Sequence, residues 1–255
     1  MKRVLTAAVL IPVVVYVVLW ANIFVFGAVL AAVACLCYYE YDHIAGSYGF
    51  GSPGPVGYGA GLLLLAVPER EAWLLMAVVA VLALALAMRS DELSKSLPRA
   101  ALLMAGVAYV FGCWRCAVPL RDHGPHWLMY ALLVNWAGDA GAYYVGRTLG
   151  RHHLAPRISP KKTWEGAAGS LVVSVLIAGA YLVCFAGVGI RVAIGLTLAA
   201  NAAGQLGDLA ESAIKRGAGV KDSGAILPGH GGFLDRVDST LFSLPLIYAW
   251  LLLHA

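Results

Sequence analysis

The apolar residues of this chain come in long unbroken blocks, and that feature limits its fold more than any other. Hydrophobic types make up 61% of the 255 residues and charged types only 13%. An ordinary soluble domain has about 45–50% and about 25%. A soluble domain cannot hide so much apolar surface, because a large share of any surface faces water. Strands of a membrane β-barrel alternate polar and apolar residues, so unbroken blocks argue against that class too. The expectation is an all-α, polytopic integral membrane protein.

A membrane span needs about 20 apolar residues, with about 17 as the practical minimum. Nine segments are expected as spans: 4–20, 23–40, 56–68, 72–88, 100–118, 126–145, 168–187, 191–207 and 240–254. The first two are separated only by Ala21-Asn22 and need a tight hairpin. The third is short and interrupted by Gly57, Gly59 and Gly61. Met1-Lys2-Arg3 before an apolar run resembles the start of a signal peptide, but the absence of a cleavage pattern favours a retained first helix. With the N-terminus inside, 14 of the 18 Lys and Arg residues fall on the inner side. Only Arg70, Arg121 and Arg191 fall outside, and Arg115 lies in a span. The positive-inside bias therefore predicts a cytoplasmic N-terminus and an outer C-terminus. Trp20, Trp73, Trp127 and Trp250 agree, since all fall near outer span ends, where an aromatic belt belongs.

Several classes receive no support. The net charge of +4 is modest and no basic run stands outside two polar loops, so nucleic acid is not an expected partner. No internal repeat suggests a transporter of two similar halves. The cysteines at 35, 37, 113, 116 and 184 lie in or beside apolar blocks, and their odd count argues against a disulfide framework. Cys113 and Cys116 form a C-x-x-C without a βαβ context and are read as inert membrane residues.

The polar residues collect in the second half. The first 125 residues carry no polar cluster beyond short loops and are expected to form about five scaffold and dimerisation spans. Residues 126–255 are expected to hold about four spans, the cytoplasmic loops and the chemistry. Asp139, Glu165, Asp208, Glu211, Asp222, Asp235 and Asp238 are seven of the 14 acidic residues. Ionisable groups near membrane depth usually face a partner or a water-filled cavity. Asn135, Asp139 and Tyr143 recur at a spacing of four and share one helix face. Asn201, Gln205, Asp208, Ser212 and Lys215 form a continuous helical stripe that points to the protein interior. Interhelical hydrogen bonding alone is the plainer reading of the asparagines. Asp235 and Asp238, three apart, are expected on one helix face just before the ninth span.

Two cytoplasmic loops hold the rest. Arg157 to Gly166 presents Ser159, Lys161, Lys162 and Thr163, whose charges and hydroxyls suit phosphate oxygens. Ser212 to Asp238 presents Lys215, Arg216, Lys221, Asp222, His230, Gly231, Gly232, Asp235 and Arg236, with Pro228 to Gly232 forced into a turn. Hard divalent cations such as magnesium prefer carboxylate oxygens. Carboxylates interleaved with lysine and arginine at a membrane surface therefore describe a phosphoryl- or nucleotidyl-transfer site. An ion-coupled transporter would spread its polar residues across the membrane depth, whereas these gather towards the cytoplasmic ends.

The stretch Ser212 to Asp238 reads S-A-I-K-R-G-A-G-V-K-D-S-G-A-I-L-P-G-H-G-G-F-L-D-R-V-D. It closely resembles the signature of phosphatidate cytidylyltransferases, the CDP-diacylglycerol synthases of phospholipid biosynthesis, at every fixed position. Asp139 to Gly146 (D-A-G-A-Y-Y-V-G) and Ser159 to Gly166 (S-P-K-K-T-W-E-G) resemble further pieces of that family. The resemblance implies transfer of CMP from CTP to phosphatidate, giving CDP-diacylglycerol and pyrophosphate. It also implies magnesium and a homodimer in the inner (plasma) membrane, with the site facing the cytoplasm. By matching motif positions it implies Asp208 and Asp235 as metal ligands, with Asp238 and Asp139 as second choices. Lys161, Lys162, Lys215, Arg216, Lys221 and Arg236 become phosphate contacts, with Asp222 among the catalytic residues. Ser159, Thr163, Tyr143, Ser212, His230, Gly231 and Gly232 are expected near substrate. The same chemistry on another lipid phosphate, such as an archaeal ether lipid, is the nearest alternative.

Overall fold

The computed structural model describes residues 2–90, 92–226 and 231–254, and for 2–7 the backbone alone. The helices in chain order are α1 (Lys2–Leu19), α2 (Ile23–Phe50), α3 (Pro55–Ala66), α4 (Glu69–Ala87), α5 (Leu93–His123), α6 (Pro125–Leu149), α7 (Trp164–Ala186), α8 (Ile190–Gly217) and α9 (Asp238–His254). A two-stranded antiparallel hairpin, β1 (His153–Ala155) with β2 (Ser159–Thr163), replaces the expected irregular loop between α6 and α7. The architecture is thus all-α apart from one hairpin among the described residues. Among the described residues, four helices are long and apolar enough to cross a membrane: α2, α4, α5 and α7.

Several helices outrun their apolar blocks. α8 continues to Gly217, so the stripe from Asn201 to Lys215 lies on one unbroken helix. α2 continues past residue 40 and ends in a wider π-turn, Gly46–Phe50, where Gly49 takes a left-handed φ of 80°. The expected shared face of Asp235 and Asp238 does not form. Leu234–Arg236 is a 3-10 turn and α9 begins only at Asp238, so the two carboxylates belong to different elements.

The chain divides into two compact units that interleave in sequence. The first takes residues 1–26, 116–213 and 236–255, and the second takes 27–115 and 214–235. In the first unit, a buried polar seam ties the helices together. Asn135 of α6 donates to Ser243 of α9 at 2.8 Å, Asn201 of α8 donates to Ser174 of α7 at 2.8 Å, and Ser174 donates to the Val134 carbonyl at 2.7 Å. The plainer reading of Asn135 and Asn201 is therefore what the structure shows. Such interhelical bonds contribute about 0.6 kcal/mol each on average in membrane proteins. α6 and α7 also approach closely through small residues: a Cβ at Gly141 would stand 2.6 Å from the Gly169 carbonyl oxygen.

In the second unit two glycines of α3 serve packing. A Cβ on Gly57 would run into the Tyr38 hydroxyl, and one on Gly61 into the Phe111 ring. Both rings are fully buried. Arg115, expected inside a span, donates its guanidinium to the carbonyls of Leu64 and Val67 and so satisfies the end of α3. Filling a packed contact costs typically about 1–3 kcal/mol. Gly61→Ala should therefore lower the unfolding temperature in detergent. Gly59→Ala, where nothing lies within 4 Å, should leave that temperature unchanged.

Candidate active site

The first unit builds a hollow of about 510 Å³ where α6, the hairpin, α7 and α8 meet. Tyr143, Arg147, Lys161, Lys162, Thr163 and Asp208 are in its wall. Each reaches it for a local reason. Tyr143 and Arg147 are one turn apart on α6, and the guanidinium donates to the Tyr143 hydroxyl at 2.9 Å. Lys161 and Lys162 follow Ser159 on β2, which is held in register by the pairs His153 with Thr163 and Ala155 with Ser159. Thr163 ends the strand and caps α7, accepting the Gly166 N–H at 3.1 Å. Glu165 anchors the start of β1 at the same open end, accepting the backbone N–H of Arg151 and of His152 and meeting His152 Nδ1 at 2.6 Å.

Asp208 enters from the α8 stripe. Lys162 Nζ stands 2.5 Å from Asp208 Oδ2, both about one-third exposed or less. Ser212 lies one turn further, its hydroxyl 3.5 Å from the other Asp208 oxygen. More acidic groups gather around this carboxylate. Asp139 lies within electrostatic range of Asp208, Lys162 and Arg236. Asp238, which accepts the Ser239 N–H at 2.7 Å, lies within range of Asp208, Glu211 and Asp139. Asp238 and Glu211 are buried, and Glu211 had no role in the expected site. Its signal was its place three residues after Asp208 on the same helix.

The second unit holds the other expected groups: Lys215, Arg216, Lys221, Asp222, Gly231, Gly232 and Asp235. Asp235, an expected metal ligand, has its carboxylate engaged by this chain's own donors. Lys215 pairs with Oδ1, the Gly232 N–H donates to Oδ2 at 2.9 Å, and the Ser223 N–H donates at 3.0 Å. Burial raises the Asp235 carboxyl, but the Lys215 ammonium and the Gly232 and Ser223 N–H groups outweigh it and hold it below the usual aspartate range. Gly231 takes a left-handed φ of 80°, which only glycine adopts easily. Arg216 is exposed and donates to the Val220 carbonyl at 3.2 Å. Lys221 and Asp222 are exposed as well. His230, with Pro228 and Gly229, lies outside the described residues.

Glu40 of α2 was not anticipated. It is 1% exposed, and its carboxylate accepts the Ser223 hydroxyl at 2.7 Å and the N–H groups of Phe233 and Leu234 at 2.8 and 2.7 Å. An acid ending the apolar block 23–40 was the available signal. Among the described residues, no three His, Cys, Asp or Glu side chains form a ready metal cage.

Fold and site define a class: a helical membrane protein in which two lysines, an arginine and one aspartate line a hollow. The chain belongs to the Cytidylyltransferase family, whose profile matches residues 1–254. It is 47% identical over 150 residues to a protein of Staphylococcus aureus (strain COL) called phosphatidate cytidylyltransferase, which covers 58% of this chain and 57% of that protein. It is 44% identical over 151 residues to the Bacillus subtilis (strain 168) protein of the same name, covering 58% and 56%. The match thus spans a little over half the length of these relatives.

Lys162→Ala removes the partner of Asp208 and Lys161→Ala an exposed cation of the same hollow. Each should lower kcat/KM for the nucleotide about tenfold or more, since charge-assisted contacts to phosphate contribute about 1.5–3 kcal/mol. Arg70→Ala should be silent, because that side chain is 84% exposed beside Glu71. Equal small effects from all three, measured in steady-state assays, would assign the lysines to topology alone.

Proposed function

We propose that this chain transfers CMP from CTP to phosphatidate and releases CDP-diacylglycerol and pyrophosphate. The convergence of Lys161, Lys162, Thr163 and Asp208 on one hollow carries this reading. The names of the relatives support it. The attacking group is the phosphate of phosphatidate, already an anion, so no strong general base is required. Its oxygen bonds to the α-phosphorus of CTP as the bond to pyrophosphate breaks. Lys161 and Lys162 neutralise triphosphate oxygens, and the Thr163 hydroxyl, whose oxygen caps α7, retains its proton to donate. Lys215, Arg216, Lys221 and Arg236 are proposed as further phosphate contacts.

The acidic groups suit magnesium by their chemistry, though no three of them stand as a ready cage among the described residues. Asp139, Asp208, Glu211 and Asp238 bring four carboxylates together with the cations Lys162 and Arg236. When ionised they leave two negative charges over, and their oxygens are the hard ligands that magnesium selects. Asp208, with Asp139 and Asp238, would hold the ion. When bound, the ion offsets triphosphate charge and orients the α-phosphorus. Asp235 keeps its expected role as a ligand in this reading; Lys215 pairs with one of its two oxygens.

The reading includes nine spans, a cytoplasmic N-terminus and a homodimer in the inner membrane, with the hollow open to the cytoplasm where CTP is found. The 14 basic residues on the inner side of that topology support the orientation. Lys161→Cys, in a chain lacking the native cysteines, should react with an impermeant maleimide from the cytoplasmic side only. Labelling solely from outside would overturn both the topology and the CTP assignment.

Purified chain given labelled CTP, phosphatidate and magnesium should yield a CDP-lipid, and an ether-lipid phosphate in a parallel arm tests the lipid class. No CDP-lipid from either would refute the function. Asp208→Asn keeps the side-chain shape, so the protein should elute as a folded species while turnover falls at least about a hundredfold. Near-normal turnover at low magnesium would remove Asp208 from the metal site.

A further inference from the structure

The end of α2 is bound to both ends of the glycine-containing signature, and no chemical role proposed above requires this. Glu40 is buried among apolar helices without contributing to the hollow. Among the described residues it accepts three hydrogen bonds: Ser223 Oγ–H on Oε2 at 2.7 Å, Leu234 N–H on Oε2 at 2.7 Å and Phe233 N–H on Oε1 at 2.8 Å. Charge-assisted bonds of this kind are roughly twice as strong as neutral ones. Two glycines make room for the carboxylate. A Cβ on Gly224 would stand 2.6 Å from Glu40 Oε1, and one on Gly232 would run into Glu40 and Ser223. Two turns along the same helix, Tyr48 donates its hydroxyl to the Ile214 carbonyl at 2.7 Å, and Gly217 leaves room for that ring.

Ser223 passes the constraint on. Its hydroxyl donates to Glu40 and accepts the Asp235 N–H at 3.3 Å, while its own N–H donates to the Asp235 carboxylate. Asp235 in turn holds Lys215. A continuous series, Glu40 to Ser223 to Asp235 to Lys215, therefore joins α2 to the last turn of α8. We propose that Glu40 is a positioning residue for nucleotidyl transfer. It fixes the segment that carries Asp235, and through Asp235 the ammonium of Lys215, so that this cation is held in one place. The inference rests on the CMP-transfer reading above. Misplacement of a reacting or binding group by about 1 Å can cost about a hundredfold in rate, so loosening this series should be visible in the kinetic constants of folded protein.

The test compares the full chain with Glu40→Gln, Ser223→Ala and Tyr41→Phe in the CTP and phosphatidate assay. Constants are measured on monodisperse protein, and amide hydrogen exchange is followed for the peptide containing Phe233 and Leu234. Glu40→Gln keeps the volume but turns one acceptor oxygen into a donor facing other donors. It should speed exchange at those amides and lower kcat/KM for CTP about ten- to hundredfold. Ser223→Ala should act in the same direction. Tyr41, on the same helix as Glu40, donates its hydroxyl to the Leu102 carbonyl of α5 at 2.9 Å, and Tyr41→Phe removes that hydroxyl. It should lower thermal stability and leave the kinetic constants of the folded protein unchanged. Faster exchange with unaltered constants in Glu40→Gln would make Glu40 a purely structural residue and overturn the inference. If that variant does not fold, unaltered constants in Ser223→Ala would overturn it equally. An unsubstituted chain that makes no CDP-lipid overturns the transfer reading and this inference together. An active chain with an insensitive Glu40 overturns only the inference.

Discussion

A carboxylate set among apolar helices must be met by donors or by a cation, because transfer of a bare charge out of water costs several kcal/mol even after relaxation. The molecule answers this requirement in two ways. In the second unit, Asp235 and Glu40 are met by donors of the chain itself: one ammonium, one hydroxyl and four backbone N–H groups. In the first unit, Asp139, Asp208, Glu211 and Asp238 gather around fewer cations. The first arrangement ties residues 223 and 232–235 to α2 and α8, and the second leaves more carboxylates than cations among the groups named.

Close approach of backbone is the other recurring device. Gly57 and Gly61 admit buried rings, Gly141 brings α6 against α7, and Gly224 and Gly232 admit the Glu40 carboxylate. In each case a side chain would occupy the space that another group fills. Apolar driving force between helices is weak in lipid, so small residues that permit dense packing and short hydrogen bonds take its place. Gly57 and Gly61 of α3, which read as interruptions of a span, are contact surfaces of a helix that forms all the same.

Helix periodicity made much of the site legible. The stripe from Asn201 to Lys215 does lie on one helix, and Lys161, Lys162, Thr163 and Asp208 do meet at one hollow. The hairpin was missed because its strands are three and five residues long and carry no alternating pattern to detect. The shared face of Asp235 and Asp238 failed for a local reason. A 3-10 turn separates them, and spacing alone cannot distinguish such a turn from an α-helix.

By itself the sequence determined the helical membrane class, the family signature and the residue types of the site. Hydropathy and helical spacing are local properties that survive without any knowledge of contacts. Only the tertiary structure decided which partner each polar group meets. It gave Asn135 and Asn201 to the interhelical seam and Asp235 to Lys215. It also drew Glu40, far away in the chain, onto the glycine loop. Those assignments depend on which donors arrive within about 3 Å of an acceptor, and that distance is set by the packing of helices from both halves of the chain.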